Sequence, residues 1–276
     1  MFVQAIENVS RFTRPIHSIF RMSDGNEVVP GTATLFFVNE EGYALTCKHV
    51  TRLLTDAEGV NQQYWVNKQK RKVYPSGSII QMKNTFVDCL DKMSGFTITN
   101  HPTLDLALIK FEGFSKLMIQ DFPTFKKDSN DIKQGKFLCR LGYPFPEFNN
   151  YRYNQEKDDI EWTNDGNKKS PGFPIEGMIT RFLAKPEIGM YGIELSTPGL
   201  KGQSGGPLFD EKGVIYGMQS QTRHLHLGFD LENFEIAVKG QKKRINDYSF
   251  IHLGECIHVE SIKQFLRQHG VNFKEE

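Results

Sequence analysis

The sequence predicts an all-β protein of the β-barrel class. Three observations lead there. Short runs rich in β-branched and aromatic residues recur from Pro15 to Ser220, turn residues punctuate them, and one well-formed amphipathic helix closes the chain. No internal repeat of fixed period interrupts the pattern. At 276 residues the chain fits one large domain or two small ones, and barrel proteins of this size are commonly one unit.

Phe2, Ile6 and Val9 share one face and predict a short helix over 2–9. Pro15–Met22 predicts a strand, with Ser23-Asp24-Gly25-Asn26 as its turn. Thr32–Val38 and Tyr43–Cys47 flank the break Asn39-Glu40-Glu41-Gly42, a hairpin signal, and Lys48-His49-Val50 follows at once. Residues 61–100 mix a basic patch (Lys68, Lys70, Arg71, Lys72) with scattered β-formers and predict short strands and a surface loop. Leu104–Phe111 and Phe137–Gly142 predict strands, the second ending in the turn Tyr143-Pro144-Phe145-Pro146. From Glu147 to Gly172 the chain is polar and poor in aliphatics, which predicts a long surface loop. Ile175–Leu183, Tyr191–Leu195 and Val214–Ser220 resume the strand pattern, and Arg223–Phe250 is irregular, compatible with a long hairpin. At the end Ser261 can cap a helix over 261–269, with Ile262, Phe265 and Leu266 as its apolar stripe and Gly270 as its stop.

Apolar residues make up 38% of the chain and aromatic residues 12%, with 22 Phe, enough for a sizeable core. Thirty-four Lys and Arg against 33 Asp and Glu leave a net charge of +1, so global charge gives no reason to expect a nucleic-acid partner. Cys47, Cys89, Cys139 and Cys256 lie far apart without CxxC or metal-ligand spacing, which points to free thiols and a reducing, cytoplasmic setting. The N-terminal stretch carries Glu7 and lacks a basic region ahead of an apolar core, so it does not read as a secretory signal. No apolar run approaches the length of a membrane span, and no membrane partner is expected.

The chain is organised around Gly199-Leu200-Lys201-Gly202-Gln203-Ser204-Gly205-Gly206-Pro207-Leu208-Phe209. A serine followed by Gly-Gly-Pro cannot continue as a helix, because two glycines weaken it and Pro207 breaks it. The same proline excludes a G-x-S-x-G nucleophile elbow, formally matched by Gly202, Ser204 and Gly206, since that elbow needs a helix directly after the serine. What remains is a tight loop with Ser204 at its apex, in which the N–H groups of Gly202 and Ser204 can converge on one point as an oxyanion hole requires. A serine hydroxyl needs a base to take its proton, and the base needs an acid to fix its tautomer. His49 after one strand and Asp105 at the start of another supply both, in the chain order His49, Asp105, Ser204.

In these motifs the chain resembles the trypsin-like (chymotrypsin-fold) serine peptidases: Ala44-Leu45-Thr46-Cys47-Lys48-His49-Val50, Leu104-Asp105-Leu106-Ala107-Leu108-Ile109 and Gly202-Gln203-Ser204-Gly205-Gly206-Pro207-Leu208. Gly31-Thr32-Ala33, Gly213-Val214-Ile215-Tyr216-Gly217 and the last helix resemble its bacterial HtrA/DegP-like branch, and the likeness spans roughly residues 30–270. The resemblance implies a single peptidase domain over 1–276, built of two antiparallel β-barrels at roughly 14–125 and 134–260 with a closing helix at 261–269. It further implies Ser204 as nucleophile, His49 as general base and then acid, Asp105 as orienting carboxylate, and Gly202 and Ser204 as oxyanion donors. Ser220 is expected to line the cleft and bond near Asp105. Two departures stand out: no disulfide brackets the histidine loop, and Gln203 replaces the acid that captures a freed N-terminus on activation. No PDZ-like segment is expected, and neither is chaperone-type assembly.

By the same resemblance the pocket for the residue before the cut falls on Pro198, with Leu200 beside it, and its wall on Ser220, Gln221 and Thr222. None carries a negative charge, so cleavage after small or medium uncharged residues is expected, unless the neighbouring Arg223 favours an acidic one. No metal or cofactor is expected. His224-Leu225-His226 with His252 or His258 reads as surface or core histidines and not as a metal site. Lys239, Lys242, Lys243 and Arg244 read as a solvated loop, as do Asp158, Asp159 and Glu161. Cys47 reads as a packed strand residue. The expectation is an intracellular regulatory or defence-associated serine endopeptidase acting on proteins or peptides. A peptide-binding pseudo-protease, or a protease silent until a regulatory protein orders the loops 147–172 and 223–250, is the alternative.

Overall fold

The computed structural model describes residues 2–238 and 241–276. Helix α1 (Val3–Ser10) tucks Ala5 and Val9 into the core. The first sheet follows: β1 (Thr13–Met22), β2 (Val28–Phe37) and β3 (Tyr43–Thr46), then helix α2 (Lys48–Gln69), then β4 (Ile79–Phe86), β5 (Gly95–Asn100) and β6 (Ala107–Glu112). Its order is β4-β1-β2-β3-β6-β5, antiparallel throughout. The edge strands β4 and β5 are not hydrogen-bonded to each other. Phe86 of β4 and Phe96 of β5 meet edge to face at 5.3 Å, so side chains close the curl.

The short β7 (Thr124–Phe125) leads to β8 (Phe137–Gly142) and the hairpin β9 (Tyr151–Asn154) and β10 (Asp159–Trp162). The second barrel continues with β11 (Phe173–Lys185), β12 (Gly189–Leu195), β13 (Pro207–Phe209), β14 (Ile215–Val238) and β15 (Gln241–His258). Here the order β13-β8-β11-β12-β15-β14 closes on itself through a β13–β14 pairing. Helix α3 (Val259–Gln268) and β16 (Lys274–Glu275), which lies beside β7, end the chain. One apolar cluster runs through both sheets, from Leu35, Phe36, Phe37 and Leu108 to Ile193, Leu208, Phe209 and Ile215. Each such side chain contributes about 1.5–3 kcal/mol by its removal from water. The predicted all-β, two-barrel architecture with a C-terminal helix is the one observed.

Three elements differ from expectation. Residues 48–69 form a helix of 22 residues, which takes up the first part of the 61–100 stretch expected as short strands and a loop. Val50, Leu53, Leu54, Ala57 and Tyr64 recur at helical spacing, and the helix covers the exposed edge of β4. Asn61 both donates to the Met82 carbonyl and accepts from its N–H (2.8 Å each), while Asn84 donates to the Leu53 carbonyl (2.7 Å). The helix thus satisfies an edge that would otherwise be open.

Residues 147–172 are a strap and not a solvated loop. Phe148 and Ile160 bury themselves against Ile19, with Tyr151, Tyr153 and Trp162 around them. Asp158, expected in solvent, accepts hydrogen bonds from Arg21, Tyr64, Lys68 and Tyr153. Residues 223–238 and 241–250 pair within β14 and β15 as the long antiparallel hairpin that the sequence allowed. Lys242, Lys243 and Arg244 stand exposed on it, and Lys239 lies outside the described residues. The closing helix begins at Val259, two residues before the expected start, and its cap is His258, whose Nδ1 accepts from the Glu260 N–H at 3.1 Å. No helix is long and apolar enough to cross a membrane, among the described residues.

Candidate active site

β3 delivers Cys47 as the N-cap of α2, which sets His49 in the first turn of that helix. Asp105 lies just ahead of β6. Its Oδ2 sits 2.7 Å from His49 Nδ1, and its Oδ1 accepts the His49 backbone N–H at 2.9 Å. Ser220, at the point where β14 leaves the second barrel, donates its hydroxyl to Asp105 Oδ2 at 2.7 Å. Burial pushes the Asp105 carboxyl up, but the His49 ring, the Ser220 hydroxyl and the His49 N–H together outweigh it and hold the group below its ordinary value. A carboxylate so held can fix the imidazole tautomer.

Ser204 projects from the loop before β13. Its hydroxyl donates to the Ser220 carbonyl at 3.2 Å and makes no hydrogen bond to His49 among the described residues. The loop is pinned against the first sheet: the Thr34 N–H donates to the Ser204 carbonyl (3.0 Å) and the Thr34 hydroxyl to the Gly202 carbonyl (2.7 Å). Gln203 N–H donates to the Leu200 carbonyl (3.0 Å) across a turn whose third residue, Gly202, has φ +100°, the type II pattern. A Cβ at Gly202 would lie 2.6 Å from the Tyr143 carbonyl, and one at Gly205 2.1 Å from the Thr34 carbonyl. The N–H groups of Gly202 and Ser204 have no acceptor among the described residues. They are therefore free for an incoming oxygen.

Two supports were not foreseen in the sequence. Gln203 is fully buried; its Oε1 accepts from the Leu200 N–H (3.0 Å) and its Nε2 donates to the Phe173 carbonyl (2.9 Å). Its amide braces the turn from inside. Arg140 is also fully buried, donating to Gln219 Oε1 (2.8 Å), Thr197 Oγ1 (2.6 Å) and the Thr197 and Pro198 carbonyls (3.1 Å each). Buried polar residues inside apolar runs, Arg140 in Phe137–Gly142 and Gln219 in Val214–Ser220, were the available signal.

The cleft beside Ser204 holds a cavity of about 500 Å³. Of the expected pocket residues, Pro198, Leu200, Ser220, Gln221 and Thr222 line it, and Thr222 donates to the Gly199 carbonyl at 2.6 Å. Arg223 does not. Strand alternation turns it to the opposite face, where its guanidinium lies 3.6 Å from Glu255. Lys201, His224 and His252 line the pocket instead. His226 pairs with Asp230 and His258 is buried at the helix cap, so the histidines do not gather into one cluster.

Ligand atoms of Cys47, His49 and Asp105 lie within 4.8 Å of one another. The Cys47 thiol is buried and donates to the Gln219 carbonyl (3.2 Å), and burial first, then Asp105, push it well above the ordinary thiol range. It keeps its proton, as a packed residue would.

A six-stranded antiparallel sheet and a second sheet whose six antiparallel strands β13-β8-β11-β12-β15-β14 close into a barrel, with a Ser, His and Asp in the groove between them, define the chymotrypsin class of hydrolase fold. The chain belongs to the family described as the trypsin-like peptidase domain, which matches residues 31–218, and it is a serine endopeptidase of that family. Among solved structures it is similar to Deg5, with a TM-score of 0.53 and 16% identity over 98% of this chain and 95% of that one. It is also similar to the HtrA-type protease AlgW with a decapeptide (TM-score 0.52, 14% identity, 98% of this chain and 69% of that one). AlgW with a tripeptide gives a TM-score of 0.51 and 15% identity, over 98% of this chain and 65% of that one. The chain thus spans about two thirds of the length of the AlgW chains, and the likeness is one of fold. No curated protein matches the chain significantly in sequence.

Proposed function

We propose that the chain cleaves proteins or peptides through Ser204, His49 and Asp105 by way of an acyl-enzyme. His49 Nε2 takes the proton of Ser204 as its oxygen attacks the scissile carbonyl. The developing oxyanion takes the N–H groups of Gly202 and Ser204, and His49 then gives its proton to the leaving amine. Water repeats the sequence to release the acid. The single observation carrying this is the double grip of Asp105 on His49, through ring and backbone, with Ser220 as a third support.

We further place the catalytic unit in one domain, with barrels over roughly 14–125 and 134–260. The four cysteines are free and buried, which supports a reducing setting, the cytoplasm, and an intracellular regulatory or defence-associated role. The turn of Ser204 toward the Ser220 carbonyl favours a second reading, in which the enzyme idles until substrate or a protein partner rotates the hydroxyl.

Fluorophosphonate labelling of the purified chain tests the assignment. Label is expected on Ser204 alone and absent in Ser204→Ala, while Asp105→Asn lowers turnover about 10⁴-fold by stranding the wrong tautomer. Label on another residue, or undiminished turnover in Ser204→Ala, would refute it.

A further inference from the structure

We infer that the pocket beside Ser204 takes an acidic side chain, so that cleavage follows Glu; this rests on the assignment of Ser204 as nucleophile. Three features of the pocket point the same way. First, no Asp or Glu lines it among the described residues. Glu255, on the strand that forms its far wall, faces away and is taken up by Gln221 Nε2 (2.5 Å) and Arg223 (3.6 Å).

Second, the floor rests on an uncompensated cation. Arg140 is wholly buried, yet all of its acceptors are neutral: two carbonyls, a hydroxyl and an amide. No carboxylate pairs with it, and its Nε has no acceptor, among the described residues. Burial disfavours its charged form, the direction in which its pKa moves. Two of its partners, the Pro198 carbonyl and Gln219, are themselves part of the pocket. A carboxylate entering here meets a field that no protein anion has already cancelled.

Third, the mouth carries hydrogen-bond donors suited to a carboxylate. His224 and His252 face each other across the β14–β15 hairpin with their Nδ1 atoms 2.5 Å apart. A contact that short holds one proton between the two nitrogens, so the accepting ring must carry its own proton on Nε2. One ring therefore presents an N–H away from its partner. Lys201 lines the same cavity. A Glu side chain, longer than Asp by one methylene, can span from the scissile carbon at Ser204 toward these donors in a cavity of about 500 Å³. An uncharged Gln of the same shape loses the charge term and offers donors to donors.

The experiment compares covalent labelling of the full chain by peptidyl phosphonates that differ only in the residue before the phosphorus: Glu, Gln, Ala or Lys. A generic fluorophosphonate serves as control. The Glu probe is expected to react at least tenfold faster than the Gln probe, and faster than Ala or Lys. The double variant His224→Gln with His252→Gln should shrink the Glu-to-Gln ratio at least tenfold. Both positions are exposed, so the fold should hold. Equal or greater rates for Gln, Ala or Lys, with the generic probe still labelling Ser204, would overturn the acidic preference alone. Failure of every probe, the generic one included, would overturn the assignment of Ser204 and this inference with it.

Discussion

Gln203 shows how one side chain replaces a mechanism. A glutamine cannot make the ion pair that a freed N-terminus offers an acid, but its amide can accept and donate at once. It does both, to the Leu200 N–H and the Phe173 carbonyl. Those bonds hold the Gly202 turn in the shape that leaves two N–H groups open. Gln203→Leu should therefore slow labelling of Ser204 by about 10²-fold, the scale set by loss of an oxyanion donor. It should also destabilise the chain by about 1–3 kcal/mol for each buried group left unpaired. Labelling rate and urea unfolding read the two effects separately, and an unchanged labelling rate would show that the turn holds its shape without the amide.

At the scale of elements, α3 and the strap each carry a titration that can be read. His258 is buried and burial lowers its pKa from 6.5 to about 4, while its neutral Nδ1 caps α3. His17, buried beside Phe148 and bonded to Ser170, is lowered to about 4 by the same cause. In both cases the unfolded chain binds the proton more readily. Stability is therefore full above about pH 6.5 and is lost as pH falls toward 4, by up to about 3 kcal/mol per histidine. His258→Asn keeps an acceptor at the cap but removes the titration, so the unfolding midpoint should fall less steeply between pH 6.5 and 4. An equally steep fall would exclude His258 as a source. Asp158 titrates on the other side. Burial raises its pKa, but Lys68, Tyr153, Tyr64 and Arg21 together hold it well below the ordinary carboxylate range. Its contribution is present at neutral pH and is lost as pH drops below the unfolded value near 4. Asp158→Asn strands Arg21, whose side chain is 9% exposed, and should cost about 3–5 kcal/mol. Proteolysis within 149–163 should speed up with it; an unaltered cleavage rate would show that the apolar contacts of Phe148 and Ile160 hold the strap alone.

For the whole molecule, the active groove depends on the two sheets meeting. Thr34 of the first sheet holds Ser204 and Gly202 of the second, and Ser220 of the second holds Asp105 of the first. Among the described residues no part of that network reaches Phe2 or α1, and Phe2 packs instead against Phe209 (6.3 Å). A folded tag fused ahead of Met1 should leave the labelling rate of Ser204 unchanged, as measured by time-resolved fluorophosphonate capture. Labelling only after the tag is removed would show that the oxyanion turn needs a free terminus after all.

The sequence by itself determined the barrel class, the strands that flank His49, Asp105 and Ser204, and the loop that Gly202 and Gly205 make possible. These are local matters: period-2 patterning, turn chemistry and steric exclusion of a helix by Pro207 act within a few residues. It also held the helical spacing of α2, hidden because Lys48–Gln69 is largely polar, Gly59 interrupts it, and the tie of Asn61 to β4 joins residues far apart in the chain. Only the tertiary structure decided that Glu147–Gly172 is a strap. Asp158 is polar in sequence but half-buried in the fold, and its four donors come from three separate segments. The pocket was decided in the same way. Strand alternation sent Arg223 to Glu255 and brought His224, His252 and the field of Arg140 to the cleft. The number of residues in a strand can be estimated locally, but which face of a long hairpin meets the cavity depends on the register of β14 with β15, which only the closed barrel sets.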